Sequence, residues 1–400
     1  MMSENKNIPK HWELKKLGEV CEIRSGKNQA KVVNPKGKYP IYGSSGIFGY
    51  ADEFICDEGT TVIGRKGTIN SPIYVSTKFW NVDTAFGLCS KDCLNSKFLY
   101  YFCVGFNFHK LDKSTTIPSL AKRDLLSIEI PLPPLPEQQA IAAKIEELLS
   151  DLENGKQQLQ TAGQQLKVYR QSLLKWAFEG KLTNKDVKDG ELPKGWNLLK
   201  LKDITLEKEG LRRGPFGSAI KKEFFVPYGY KVYEQGNAIN NDPYRGEYFV
   251  NETKYQELIK FKVMPNDLIV SCSGVTLGRI CEIPSDAKEG IINQALLRIR
   301  LKNTLILNKY FIFQFRGALF QKKIFDQSQG TAMPNLVGIK DFKEIEILVP
   351  PINAQEKIIN ELESKLTVCD KIEETINHSL QQAETLRQSI LKKAFEGKLV

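Results

Sequence analysis

The sequence predicts an α+β protein with two globular mixed α/β domains at opposite ends of a two-helix antiparallel coiled coil, related by pseudo-two-fold symmetry. Three observations predict it. One segment occurs twice along the chain, each copy carries a heptad seam, and each copy follows a different basic stretch rich in strand and turn signals.

The duplication comes first. Pro133–Leu182 align without gaps on Pro350–Leu399. Both copies end in the same hexapeptide, Ala177-Phe178-Glu179-Gly180-Lys181-Leu182 and Ala394-Phe395-Glu396-Gly397-Lys398-Leu399. Arg170-Gln171-Ser172 matches Arg387-Gln388-Ser389, and Leu174-Lys175 matches Leu391-Lys392. Weaker markers extend the repeat: Pro9-Lys10-His11-Trp12 against Pro193-Lys194-Gly195-Trp196, and Thr116–Leu120 against Thr331–Leu336. The residues between the markers differ, so each unit is a matching frame around a divergent middle.

The long helices follow from periodicity. In the first copy, apolar or small residues fall at Ile141, Ile145, Leu148, Leu152, Gly155, Leu159, Ala162, Leu166, Tyr169, Leu173 and Trp176, in alternating steps of four and three. The second follows at Ile358, Leu362, Cys369, Ile372, Ile376, Ala383, Leu386 and Ile390. Its seam is broken at Lys365, Ser379 and Lys393, with Leu366 and Leu380 one place on at the first two breaks. Pro136 and Pro350-Pro351 mark the starts, and Gly180 and Gly397 the stops. Each helix spans roughly 60 Å at ~1.5 Å per residue. Neither stands alone with an exposed apolar stripe, so the two pair. Self-association into an oligomer is the alternative, and the matched lengths favour the intramolecular pair.

Chain order sets the direction of pairing. The second domain starts where the first helix ends and feeds the second helix, which makes the pair antiparallel. The domains then fall at opposite ends, and Val400 returns towards the N-terminal domain. The predicted boundaries are 1–132 and 196–348 for the domains, 133–182 and 349–400 for the helices, and 183–195 for a linker.

Both domains read as small α+β units. The first has strand-like runs and glycine turns at Tyr39–Gly46 and Thr60–Thr68 and a helix at Ser96–Phe106. The second has the turn Gly214–Ser218, a strand at Asp267–Ser271 and a helix at Asn308–Phe325. Phe79, Trp80 and Phe216 are expected in cores. Arg65-Lys66 and Arg212-Arg213 place paired cations at turns, where arginine forks onto guanine and lysine meets phosphate.

Composition narrows the function. Lys plus Arg number 57 against 47 Asp plus Glu, a net charge of +10 that suits a polyanionic partner. The eight cysteines form no C-x-x-C pair and only three histidines occur, which argues for reduced thiols and against a zinc site. Met1–Trp12 is too polar for a signal peptide, and no run is apolar enough for a membrane span. A motor would require Gly-Lys followed by Ser or Thr, and no Gly-Lys here has that sequel. The Pro-Pro pairs follow Leu132 and Val349, unlike a methyltransferase substrate loop. Asp242, Glu252 and Lys254 could mimic a metal nuclease set, but such a pattern is expected by accident in a chain with 26% charged residues.

The chain resembles the specificity subunit of type I restriction–modification enzymes. The resemblance rests on Pro131-Leu132-Pro133-Pro134-Leu135-Pro136-Glu137-Gln138-Gln139, the two long helices, the twin Ala-Phe-Glu-Gly-Lys-Leu endings, and the loops Gly43–Gly46, Gly64–Gly67 and Gly214–Ser218. The second copy departs in having Asn353 where the first has Pro136. The resemblance implies two target-recognition domains, each reading half of a bipartite, asymmetric site in double-stranded DNA, with the helices as a ruler for the spacer. It implies docking of two DNA adenine methyltransferase subunits and of restriction/translocase subunits, with no catalysis and no cofactor on this chain. S-adenosylmethionine, Mg and ATP would belong to the partners, and the assembly would be cytoplasmic. The candidate DNA contacts are Lys27, Ser44, Ser45, Arg65, Lys66, Thr68, Arg212, Arg213, Ser218, Lys221, Asn237, Ser273 and Arg279. The candidate coil and methyltransferase-docking residues are Gln138, Ile141, Ile145, Leu148, Leu152, Leu166, Leu173, Phe178, Ile358, Leu362, Ile372, Leu386, Ile390 and Phe395. A specificity subunit of another bifunctional restriction–methylation enzyme, or a coiled-coil scaffold without DNA, are the alternatives.

Overall fold

The computed structural model describes residues 8–184, 186–188, 190–274, 276–326 and 336–400, so the Thr331–Asn335 part of the weak marker lies outside the described residues. The chain forms two compact units, Met1–Ala162 with Thr375–Val400, and Gly163–Glu374. Their boundaries fall inside the long helices, because each helix packs part of its length on each unit.

The first unit runs through β1 (Glu13–Lys16), α1 (Leu17–Val20), β2 (Cys21–Ser25), β3 (Tyr39–Gly43), β4 (Gly46–Ala51), β5 (Thr60–Gly64), β6 (Ile73–Val75), β7 (Trp80–Asn81) and β8 (Ala85–Ser90). It continues through α2 (Ser96–Gly105), α3 (Lys122–Leu126), β9 (Glu129–Leu132) and α4 (Leu135–Phe178). An antiparallel sheet orders β2-β8-β5-β6, a second orders β4-β3-β7 with β3 and β7 parallel, and β1 pairs β9. All of β5 is buried, as a strand covered on both faces requires. Along β8 the period of two sends Phe86 and Leu88 into the main core, beneath Phe98, Phe102, Ile141 and Ile145. Gly87, facing the other way, lies against Cys56.

The second unit repeats this topology with β10 (Asn197–Lys200), α5 (Leu201–Ile204), β11 (Leu211–Arg213), β12 (Tyr230–Tyr233), α6 (Gln235–Asn240), β13 (Phe249–Val250), α7 (Glu252–Glu257), β14 (Lys262–Val263), β15 (Leu268–Ser271), β16 (Ile280–Glu282), β17 (Gly290–Ile292) and β18 (Leu296–Ile299). It closes with α8 (Asn308–Arg316), α9 (Ala318–Asp326), α10 (Ile339–Lys343), β19 (Glu346–Val349) and α11 (Ile352–Phe395). Its sheets order β11-β18-β15-β16 and β13-β12-β17-β14, β12 and β17 are parallel, and β10 pairs β19. The β2-β8-β5-β6 sheet and the β1–β9 pair thus recur as β11-β18-β15-β16 and β10–β19 where the sequences diverge, while the second sheet gains β14.

The repeated frame has a physical reason at each matched residue. Buried Gln138 accepts from Asn95 N (2.8 Å) and donates to the carbonyls of Cys93 and Pro133 (3.0 and 2.8 Å). Buried Gln355 accepts from Leu307 N (2.8 Å) and donates to Leu305 O and Pro350 O (2.8 Å each). Each glutamine ties the helix start to its own domain. Gly180 and Gly397 have φ of 77° and 68°, the left-handed stop that glycine allows. A Cβ on Gly180 would meet Pro193 Cγ at 2.3 Å, and one on Gly397 would meet Pro9 Cγ at 2.2 Å. The Pro-x-x-Trp markers are therefore the seats of the helix ends. The return of the C-terminal end to the N-terminal domain is met within the first unit.

Antiparallel pairing is met within each unit. In the first, Ile141, Ala142 and Ile145 share a core with Leu391, Ala394 and Phe395. In the second, Leu166, Leu173 and Phe178 share one with Ile358, Leu362 and Cys369, and Arg170 bridges Asp370 and Glu373 at 2.7 and 3.0 Å. The seam needs correction, however. Tyr169, Trp176, Ile372 and Leu386 are 42%, 42%, 44% and 51% exposed. A strict heptad assumes one partner, but these helices also cover a domain, so Leu173, Leu174, Ala177 and Phe178 widen the buried face. Leu366, beside Lys365, packs against the core as expected.

A second correction concerns the expected helix Asn308–Phe325. It is two helices, broken at Gly317, whose ψ of 143° is extended. The helix expected at Ser96–Phe106 is α2.

Candidate nucleic-acid interface

In the first unit, three loops meet at one edge of the sheets, around the link Val82–Thr84 between β7 and β8. After β2, Lys27 N donates to Asn81 O (2.9 Å) and Trp80 Nε1 donates to Lys27 O (3.0 Å). A Cβ on Gly26 would lie 1.8 Å from Val82 O, so only glycine allows this approach. After β3, Tyr42 O accepts from Val82 N (3.1 Å). After β5, Arg65 N and Lys66 N both donate to Thr84 O (2.8 and 3.2 Å). A Cβ on Gly64 would stand 3.0 Å from Ser44 Cβ. Lys27, Ser45, Arg65, Lys66 and Thr68 are exposed and Ser44 is half-buried. The six residues singled out in the first domain therefore lie on adjoining loops.

The second unit builds the same edge around Asn293–Ala295. A Cβ on Gly214 would lie 1.8 Å from Asn293 O, the counterpart of Gly26. Asn293 N donates to Tyr233 O and Cys272 N to Ala295 O, each at 2.9 Å. The loops are laced together by Gln235, whose Nε2 donates to Ser273 O (2.7 Å) and Thr276 Oγ1 (3.2 Å) and whose Oε1 accepts from Ser273 Oγ (3.2 Å). Ser218, Lys221 and Arg279 are exposed; Arg213 and Ser273 are half-buried.

Three sequence expectations fail here. Asn237 is not on the surface: it is 2% exposed, and its amide accepts from Glu234 N (2.8 Å) and donates to Asp242 O and Arg245 O (3.0 and 2.7 Å). It shapes α6 from inside. Arg212 is committed to Glu209 at 2.8 Å, in a network that includes buried Arg298. Strand alternation turns it inward while Arg213 faces the other way. Phe79 and Trp80 are buried as expected, but Phe216 is 91% exposed.

Other functional neighbours escaped the sequence reading. The loop Asp112–Ala121 lies on the Arg65 loop: Leu120 N donates to Arg65 O and Gly67 N to Pro118 O, each at 2.9 Å. Its recurrence as Thr331–Leu336 is the signal that marks it. In the second unit, Arg316 Nη2 donates to Asn241 Oδ1 (2.9 Å) and Ile280 O (3.1 Å), and burial lowers its pKa. Nothing in the sequence links those positions.

The coil residues also divide. Gln138, Ile141, Ile145, Leu173, Phe178, Ile358, Leu362 and Phe395 are buried in the chain's own cores, so they hold the fold and present nothing to a partner. Leu166 and Ile390 are buried too, and Leu148 and Leu152 are half-buried. Exposed large apolar positions on the two long helices include Leu135, Val168, Tyr169 and Trp176, and Val368, Ile372 and Leu386.

Among the described residues no group of three or more His, Cys, Asp or Glu is placed to hold a metal ion. Asp242 caps its own turn by accepting from Tyr244 N (2.9 Å), and Lys254 pairs with Glu257 (2.7 Å). Among the described residues no helix is long and apolar enough to cross a membrane.

Known proteins match this architecture along its length. The family model described as type I restriction modification DNA specificity domain matches residues 9–161 and 193–382. The type I restriction enzyme EcoDI specificity subunit of Escherichia coli is 24% identical, over 98% of this chain and 89% of its own. The EcoBI specificity subunit of Escherichia coli is 27% identical, over 84% of this chain and 73% of its own. Two solved structures share the fold. One, described as the structural basis underlying complex assembly and conformational transition of the type I R-M system, has a TM-score of 0.75 at 17% identity, covering 98% of this chain and 99% of that one. The other, the HsdS subunit from Thermoanaerobacter tengcongensis, has a TM-score of 0.63 at 16% identity and covers 100% of both chains.

Proposed function

This chain belongs to the type I restriction modification DNA specificity family, and from that membership we propose that its two domains each read one half of a bipartite, asymmetric site in double-stranded DNA. The observation that carries the reading is the doubled loop edge. The same backbone frame presents Lys27, Ser45, Arg65 and Lys66 in one unit and Arg213, Ser218, Lys221 and Arg279 in the other. Identical frames with different side chains suit two unlike half-sites.

The length of the two helices sets the spacer between half-sites. Two DNA adenine methyltransferase subunits dock on the chain, supported by the apolar positions that α4 and α11 leave exposed, and restriction/translocase subunits join them. The chain reads and positions; S-adenosylmethionine, Mg and ATP act on the partner subunits, in the cytoplasm.

Exchanging residues 1–132 for the corresponding domain of another family member tests the reading. Long-read methylome sequencing of a host carrying the exchanged chain and its methyltransferase should show one half of the motif changed and the other kept. A change in both halves, or in neither, overturns it.

A further inference from the structure

A concave region of about 440 Å³ opens beneath the Arg65–Lys66 loop in the first unit. Its wall carries four cations, Arg65, Lys66, Lys113 and Lys122, against one carboxylate, Asp124. Asp124 is already paired with Lys113 at 2.8 Å. Among the described residues, Arg65, Lys66 and Lys122 have no carboxylate within ion-pair distance.

The Arg65–Lys66 loop is held by backbone. Lys66 and Ser119 form an antiparallel bridge, and Arg65 O and Pro118 O accept from Leu120 N and Gly67 N. The Arg65 guanidinium is steadied by Asp83 O at 3.3 Å and lies 5.9 Å from the centre of the Phe86 ring. Like charges gathered on a braced concave wall repel one another, and an anion relieves that repulsion. Guanidinium and ammonium groups around one hollow match the tetrahedral oxygens of a phosphate.

We propose that this cavity seats one phosphate of the DNA backbone beside the first half-site, and that Lys66, Lys113 and Lys122 hold it. The inference rests on the DNA-reading role above and adds a contact made by the Asp112–Lys122 segment. Seating one phosphate fixes the register of the first domain without reading a base.

The test uses the chain assembled with its methyltransferase, on duplexes carrying the motif found by methylome sequencing. The double variant Lys66→Gln/Lys122→Gln should flatten the dependence of log affinity on log salt by about 0.9, the value for one phosphate. Each single variant should flatten it by less, because the remaining lysines still hold the shared phosphate. A neutral methylphosphonate, moved along the backbone of the first half-site, should weaken the wild type roughly tenfold at one position and leave the double variant indifferent there. An unchanged salt slope, or no such position, overturns the inference while specific binding by the wild type upholds the DNA role. Loss of sequence preference in the wild type instead overturns that role. Pyrophosphate bound at constant ionic strength by the wild type and not by the variant, with the salt slope intact, would assign the cavity to a free phosphate ligand and overturn the inference.

Discussion

The second strand of the four-stranded sheet is filled differently in the two domains: Gly87 and Cys89 of β8 stand where Arg298 and Arg300 stand in β18, Gly87 pairing with Arg24 as Arg298 pairs with Arg212. Around Cys89 the filling is small: the Cys56 thiol, Thr60 Oγ1 at 3.3 Å and Gly87. Around Arg298, which is 1% exposed, the filling is ionic. Its guanidinium donates to Glu209 (2.6 Å) and to Lys262 O, and Arg300 pairs with Asp267 at 2.8 Å. The same backbone thus accepts a thiol pair or a charge network. The difference shows why counting arginines misleads: Arg212, Arg298 and Arg300 are all turned to Glu209 or Asp267, so their charge serves the fold.

The largest effect should come from breaking that network. Asp267, 4% exposed at its side chain, stands between Arg298 and Arg300. Asp267→Ala leaves Arg298 and Arg300 to share Glu209 alone and should cost about 3–5 kcal/mol. Cys89→Ala leaves no charge behind and should cost about 1 kcal/mol. Guanidinium unfolding gives the totals. Hydrogen exchange should show lost protection in β15 and β18 for the first variant, with β5 and β8 unaffected. Equal costs would mean that the two fillings are energetically alike.

Where the domains agree, the expected costs agree as well. Gln138→Ala and Gln355→Ala each strand one buried amide N–H and two carbonyls, at about 1–3 kcal/mol. The two values should match, because each glutamine makes the same three hydrogen bonds. A twofold difference would show that the frame is stiffer at one domain. Neither change should alter the methylated motif.

These examples also mark what the sequence makes legible. Duplication, long helices and glycine stops follow from local rules that act on every copy, so Gly180, Gly397 and the Pro-x-x-Trp markers announce themselves. The loop edge was legible in part, because glycine turns such as Gly64 and Gly214 flag a close backbone approach. Residues whose role depends on a distant partner were not. Asn237 looks like a surface amide until the carbonyls of Asp242 and Arg245 enclose it. Gln138 looks like a helix-surface residue until Cys93 and Asn95 arrive beside it. Tyr169 and Leu386 satisfy a heptad, yet the domain packed beside each helix rotates the buried face away from them. Phe216 has the composition of a core residue and sits in the open because Gly214 binds its loop to Asn293.

The smallest effect is chemical, and it separates the domains without unfolding either. A hydrogen bond from Cys56 holds the Cys89 thiol below the ordinary thiol range, against the pull of burial, with Thr60 and Arg24 assisting. The same bond and burial push Cys56 up. In the second domain burial raises Cys272 to about 12 and, with Asp242 and Glu282 nearby, Cys281 to about 11. A thiol is a nucleophile only as thiolate, which appears as pH rises through its pKa. Iodoacetamide labelling of the native protein, followed by peptide mass spectrometry, should therefore modify half-buried Cys89 with a midpoint below the ordinary thiol value. Cys56, Cys272 and Cys281 should stay unlabelled there. Thr60→Val removes one donor to the thiolate and should move the midpoint upward. A midpoint at the ordinary thiol value of about 8.5 would mean that the pair does not share a proton and that the first domain is filled by two independent thiols. Labelling of Cys281 at the same pH would mean that the second domain opens locally at β16, and the contrast between a rigid charge network and a loose thiol pair would then run the other way.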